Sequence, residues 1–378
     1  KKSLYGLSVA PLLWNEHLIA ALKAEGFAQS KYDSCLLMKP NMMMVLYVDD
    51  AGISAKYKKD VDDLIDNLRN RGFELTREGS FSEFLGIKFV RDDKEGTITA
   101  TQQGLIQKII KTTNMEDSNP NWTPASTTAL GIDPDGEPMD EEWSYPSVVG
   151  MLLYLSTNTR PDITMAVSQV ARFNHSPKKS HATAVKMIIR YLKRTHDKGT
   201  VIRPTGTLEL DCWVDASFGN LYKVDPDDEP SAAKSREGYI ITLGGCPLLW
   251  RSRLQSTIAL STQEAEYSAL SHSMRTLLPI RAVVIELTIA LNLPHHLSAT
   301  IRSRVFEDNN GALLLATNQR ITSRTKHYLI QWHFFWAHVK DGRVVVERVP
   351  TELQRADYMT KGMPRVPYET CRFLNQGW

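Results

Sequence analysis

From about Thr207 onward the chain carries a pattern that few folds can satisfy. Three apolar runs, Leu208 to Val214, Gly238 to Leu243 and Pro247 to Ser252, precede a long helical stretch from Ser261 to Ala290. The second and third runs meet at Gly244-Gly245, which predicts a three-stranded meander. Beyond it, Ala299 to Glu307 reads as a strand, Asn310 to Ala316 and His327 to Lys340 as helices, Arg343 to Val349 as a strand and Glu352 to Thr360 as a last helix. Three strands, helix, strand, helices, strand and helix predict an α/β layer architecture, with each helix covering a sheet face.

Four acidic residues punctuate this region at strand ends or on helices: Asp215, Glu266, Asp308 and Asp357, separated by 51, 42 and 49 residues. Mg²⁺ takes oxygen ligands, and a pair of such ions can clamp both oxygens of an in-line phosphoryl displacement. Any one of these residues alone reads as a surface carboxylate; four in this setting point to a metal site. Glu266, not Glu264, is expected to face it, because Ala265, Ala269 and Leu270 mark the buried side of the helix and Glu264 lies about 200° away. Ser261 or Thr262 is the expected cap. Strand alternation places Glu307 on the face opposite Asp308.

Composition bounds the rest. The 378 residues contain enough apolar side chains, 42%, for two or three compact domains. A net charge of only +2 means that nucleic acid would have to be gripped by local patches rather than by a global field. Four scattered cysteines without a Cys-x-x-Cys pair argue against zinc and disulfides and for a reducing compartment. No apolar run reaches the roughly 20 residues of a membrane helix, so a soluble chain without a membrane partner is expected.

Upstream, residues 1 to about 118 read as a strand-rich platform with helices. It has an amphipathic helix at Leu12 to Gly26, a hairpin through Met42 to Tyr47 and Ala51 to Ile53, and a second through Phe84 to Val90 and Thr97 to Ala100. Residues 119–206 start with an acidic, proline-broken linker to Glu142 and continue as helices, with Thr159-Arg160-Pro161-Asp162 reading as a helix start. The domain expected to follow spans 207–378. Lys186, Arg190, Lys193 and Arg194 lie on a basic helix between Lys178 and Lys198, open to reading as a solvated face or as a phosphate contact. Arg320, Arg324, Lys326 and His327 lead into an aromatic helix that could touch phosphates. The acidic insert Tyr222 to Ser231 reads as a solvated hairpin tip.

Together these segments resemble the C-terminal part of the Pol polyprotein of copia-type LTR retrotransposons. The ribonuclease H resemblance rests on Trp213-Val214-Asp215-Ala216-Ser217, Ser252 through Tyr267, Asp308-Asn309, Arg324-Thr325-Lys326-His327 and Gln354-Arg355-Ala356-Asp357-Tyr358-Met359-Thr360-Lys361. The reverse transcriptase resemblance rests on Ser3-Leu4-Tyr5-Gly6-Leu7, Asp33-Ser34-Cys35-Leu36, Tyr47-Val48-Asp49-Asp50, Phe84-Leu85-Gly86-Ile87, Tyr145 through Gly150 and Thr159 through Ile163. The resemblance implies α/β and α+β domains: a partial polymerase palm, a helical connection and a ribonuclease H-like five-stranded mixed sheet with flanking helices. It implies Asp215, Glu266, Asp308 and Asp357 as catalytic ligands of a two-metal Mg²⁺ or Mn²⁺ site cutting RNA in RNA/DNA hybrids. Asp49 and Asp50 would be the metal-binding hairpin carboxylates of a polymerase. Implied partners are an RNA/DNA hybrid, an RNA template with DNA primer, and the integrase and protease of the same polyprotein. The implied setting is the cytoplasm, in virus-like particles, extending to the nucleus.

Two departures qualify the polymerase half. The resemblance places a third palm carboxylate upstream of Lys1, and Ser8-Val9 stand where the family usually has Lys-Gln. The expectation is therefore a ribonuclease H with an incomplete polymerase. The alternative is a catalytically dead remnant or a domesticated nucleic-acid-binding protein. Thr351 stands near the position where many ribonucleases H carry a product-releasing His, which implies slow turnover.

Overall fold

The computed structural model describes residues 6–139, 142–293, 301–318 and 333–378. They fall into two compact units, the first built from residues 1–84 and 278–301 and the second from residues 85–277 and 302–378. This division differs from the expected boundaries at 118 and 206.

In the first unit, helix α1 (Ala10–Ala24) and helix α2 (Lys58–Asn70) accompany strands β1 (Ala28–Gln29), β2 (Leu36–Lys39), β3 (Met42–Tyr47) and β4 (Asp50–Ala55), and the two-residue strand β5 (Glu83–Phe84) follows α2 in the sequence. Strands β1 to β4 pair in order as antiparallel neighbours. Leu22, Leu37, Met42, Met44, Leu64 and Leu68 form the core. In α2 the buried Leu64 and Leu68 are four residues apart, as one helix face requires. The β3–β4 hairpin confirms the expected break: Tyr47 pairs with Asp50 and the loop is Val48-Asp49. Val48 has a positive φ of 54°, uncommon for a β-branched residue.

The second unit opens with the other expected hairpin, β6 (Ile87–Asp92) and β7 (Thr97–Thr101), to which β8 (Thr200–Ile202) adds from a hundred residues away. Between β7 and β8 lie helices α3 (Gln103–Thr112), α4 (Tyr145–Asn158), α5 (Thr164–Ala171) and α6 (Lys179–Arg194). They are fastened by a buried ion pair. Arg160 Nη2 lies 2.7 Å from Asp162 Oδ2, and Asp162 also accepts from Tyr191 Oη at 2.6 Å and Gln376 Nε2 at 3.1 Å. Asp162 thus serves as a buried counter-ion rather than as a solvent-facing acid at a helix start.

The C-terminal strands are β9 (Leu210–Ser217), β10 (Arg236–Leu243), β11 (Cys246–Leu254), β12 (Ser303–Glu307) and β13 (Val345–Arg348). They form one mixed sheet in the order β11-β10-β9-β12-β13, in which β10 is antiparallel to both its neighbours, β11 and β9, and β12 is parallel to both its neighbours, β9 and β13. This is the five-stranded ribonuclease H-like sheet that was expected. The first half of helix α7 (Thr262–Ala290) covers one face, where His272 Nδ1 meets Glu237 Oε2 at 2.6 Å and Tyr239 Oη meets Thr276 Oγ1 at 2.9 Å. The other face shares a core with the connection helices: Ile240, Tyr358 and Met359 pack in one cluster with Val148, Leu152, Val167 and Ile188. That shared core is why the boundary expected at residue 206 does not separate two bodies.

Helix α8 (Asn310–Asn318) and the short α9 (Trp336–Lys340) follow β12. The N-terminal part of the helix expected from His327 lies outside the described residues. The helix expected over Glu352 to Thr360 is instead two single 3-10 turns, Thr351–Leu353 and Asp357–Met359, and the last helix is α10 (Arg365–Gln376). Among the described residues no helix is long and apolar enough to cross a membrane.

Candidate metal centre

Asp215 lies near the C-terminal end of β9, and Glu307 ends the parallel neighbour β12 with Asp308 just beyond it. Glu266 reaches the same end from the first turns of α7. Ser261 caps that helix, its Oγ accepting from the Glu264 N–H at 3.2 Å, while Glu264 Oε2 accepts from the Leu260 N–H at 2.9 Å. Glu264 is therefore spent on the cap and Glu266 turns inward, as expected. Asp215, Glu266 and Asp308 each place one carboxylate oxygen within 4.8 Å of the others.

Asp357 flanks this trio through a local device. Gln354, buried in the loop before it, donates to the Val214 carbonyl at 2.9 Å and accepts from the Ala356 N–H at 3.2 Å. The turn that follows packs over β10, where Gly238 leaves room for it. Thr360 donates its hydroxyl to Asp215 Oδ2, and Lys361 Nζ sits 2.9 Å from Asp357 Oδ1. Thr360 and Lys361 belong to a motif legible in the sequence, but their contacts with the carboxylates were not foreseen.

Electrostatics marks the cluster as strained without a cation. Burial, and then Asp357, pushes the Asp215 carboxyl up to about 6. Burial and the neighbouring carboxylates Asp215, Glu307 and Asp308 hold Glu266 well above the usual range, against an opposing hydrogen bond from the Ala216 backbone. Burial likewise raises Asp357, with Lys361 pulling the other way. For Lys361 burial opposes the charge, yet Asp215 and Asp357 keep its ammonium above the ordinary lysine range. Glu266 Oε2 is buried with no hydrogen-bond partner. A hard-oxygen donor set with an orphaned anionic oxygen fits Mg²⁺ or Mn²⁺.

The other expected site residues belong to other parts of the chain. Asp49 and Asp50 are exposed at the tip of the β3–β4 hairpin in the first unit. The basic residues of α6 are engaged within the chain: Lys186 Nζ lies 3.8 Å from Glu142, Arg190 Nε donates to the Asn119 carbonyl at 2.5 Å, and Lys193 Nζ donates to the carbonyls of Glu116 and of Ser118, the latter at 2.7 Å. Arg194 and Arg365 both lie over the ring of Trp122. Arg324, Lys326 and His327 lie outside the described residues. The acidic insert is anchored rather than solvated throughout: Asp225 is buried and accepts from Arg172 Nη2 at 3.1 Å and the Ile132 N–H at 2.8 Å.

Comparison with known proteins places these features in a family. Residues 1–127 match the family described as reverse transcriptase (RNA-dependent DNA polymerase). The chain is 32% identical over 373 residues to the Retrovirus-related Pol polyprotein from transposon RE1 of Arabidopsis thaliana, covering 98% of this chain and 24% of that protein. It is 30% identical over 384 residues to the corresponding polyprotein from transposon TNT 1-94 of Nicotiana tabacum, covering 99% of this chain and 28% of that protein. The chain thus spans about a quarter of the length of these relatives. Among solved structures, a foamy viral protease-reverse transcriptase in complex with dsDNA aligns with a TM-score of 0.45 and 13% identity, over 92% of this chain and 60% of that one. With the Tyr-Val-Asp-Asp hairpin, the five-stranded sheet and the carboxylate cluster in place, the chain belongs to the Pol polyprotein family of copia-type retrotransposons.

Proposed function

We propose that the second unit cleaves the RNA strand of RNA/DNA hybrids at the carboxylate cluster, using Mg²⁺ or Mn²⁺. The observation that carries this reading is the convergence of the buried Asp215 and Glu266 and the half-buried Asp308 within 4.8 Å at the C-terminal end of two parallel strands. These three would hold the cation, with Asp357 beside them and room in the ligand count for a pair of ions. A bound divalent cation supplies Lewis acidity toward water and the scissile phosphate. Thr360 fixes the Asp215 carboxylate by donating to Oδ2, and Lys361 fixes Asp357. Hybrid selectivity would come from 2′-hydroxyls and groove shape. In the context of the whole polyprotein, with its integrase and protease, Asp49 and Asp50 would serve as hairpin carboxylates of the polymerase that extends a DNA primer on an RNA template.

The test uses a hybrid with each strand labelled separately. The purified chain with Mn²⁺ is expected to shorten the RNA strand only, and Asp308→Asn to abolish the cut, because an amide keeps the shape but not the charge. Equal cutting by wild type and Asp308→Asn contradicts the proposal.

A further inference from the structure

Alternation along β12 puts Glu307 on the sheet face opposite Asp308, yet this does not take it away from the centre. Val305 pairs with Cys212 of β9, so Glu307, two residues on, shares a face with Val214 and Ala216. That is the face α7 covers, since Val214 and Ala216 pair with Tyr239 and Glu237, whose side chains meet the helix. Glu266 arrives from the same helix. The carboxylates therefore wrap around the strand ends, with the two glutamates on the α7 side and Asp215 and Asp357 on the other.

Glu307 is fully buried. Its Oε1 accepts from the Asn309 N–H at 3.0 Å, while its Oε2, like that of Glu266, is buried with no hydrogen-bond partner. The strongest charges acting on it are the carboxylates of Asp308 and Asp215, and it acts in turn on Glu266. Lys361 serves the aspartates: Asp215, Asp357 and Asp308 are the acids that hold its charge. Two unpartnered carboxyl oxygens thus sit on the glutamate side, where a buried polar oxygen without a donor or cation is costly. A cation shared by both would satisfy them.

We propose that Glu307 is a fifth carboxylate of the divalent-metal centre, offering Oε2 to the cation beside Glu266. The inference rests on the metal-dependent reading above and adds a ligand to it. A purely structural glutamate would instead stabilise the fold and leave metal affinity alone.

Calorimetric titration of the full chain with Mn²⁺, alongside melting of the metal-free protein at pH 7, separates these roles. Glu307→Gln is expected to bind Mn²⁺ at least tenfold more weakly while its metal-free melting temperature stays level or rises, since a repelling group is removed. Wild-type affinity in Glu307→Gln, with binding lost in Asp308→Asn, overturns the inference and leaves the proposed function standing. Wild-type affinity in both variants overturns both. If the glutamine variant does not fold, Glu307→Asp, which keeps the charge and retracts the carboxylate, is read by the same affinity criterion.

Discussion

Gly238 pairs with Asp215 across β10 and β9, and the space where its side chain would be is filled by Met359. A Cβ on Gly238 would lie 2.4 Å from Met359 Cβ and 3.1 Å from the Met359 backbone carbon. Contact with backbone leaves little room for adjustment, so Gly238→Ala must displace the turn that carries Asp357 and Thr360. We expect a loss of about 1–3 kcal/mol, typical of overpacking, together with weaker Mn²⁺ binding. Melting curves combined with metal titration check this, and unchanged metal affinity would show that the turn does not support the centre.

The raised carboxyl of Asp215 fixes the sign of a pH effect. Its folded value, about 6, lies above the ordinary aspartate value of 3.8, so the folded metal-free protein binds the proton more tightly than the unfolded chain. Stability from this group is complete below about pH 4 and is lost as pH rises through about 6. Metal-free melting temperature is therefore expected to fall across that window, and Mg²⁺ or Mn²⁺ to restore it on the alkaline side. A metal-free profile that rises from pH 4 to 7 would oppose this electrostatic picture, once compared with Asp215→Asn, in which the fall should be smaller.

Asp215→Asn should also separate stability from activity. At pH 7 it removes one buried charge from a crowded cluster, so the metal-free variant is expected to melt at or above the wild-type temperature while hybrid cleavage disappears. A variant that both melts earlier and retains cleavage contradicts the assignment.

Lys361 places an ammonium among the groups expected to hold a dication. Removing it in Lys361→Met takes away a repelling charge and is expected to tighten Mg²⁺ binding several-fold, more so at low salt. The same change should lower the metal-free melting temperature, because Asp357 loses its partner at 2.9 Å. Titration at two salt concentrations provides the check.

The Arg160–Asp162 pair predicts a purely structural phenotype. Both side chains are fully buried, and removing one partner leaves the other charge uncompensated. Asp162→Ala is expected to cost about 3–5 kcal/mol in urea unfolding. Asp225→Ala, which leaves unpaired an Arg172 that is itself partly exposed, should cost less.

How far the sequence could be read depended on how local each feature was. Asp215, Glu266 and Asp308 were legible because each borders a regular element whose periodicity is visible, and Ser261 or Thr262 marked the helix start. Asp357 was legible as a residue but not in its setting: Gln354 ties its loop to the Val214 carbonyl, and that tertiary contact overrides the helical spacing of 352–360. Glu307 was set aside because alternation names a face and says nothing about which helix covers it. Arg190, Lys193 and Arg194 looked free for phosphate because their partners, the carbonyls of residues 116–119 and Trp122, come from a loop some 70 residues earlier. Asp225 looked solvated for the same reason, since Arg172 lies 53 residues before it.

The central claim is that the carboxylates at the ends of β9 and β12 form a divalent-metal centre. Crystals soaked in Mn²⁺ test it most directly through anomalous scattering. We expect a peak among Asp215, Glu266 and Asp308, absent from crystals of Asp308→Asn. Crystals that diffract well after soaking and show no anomalous density among these three side chains would contradict it.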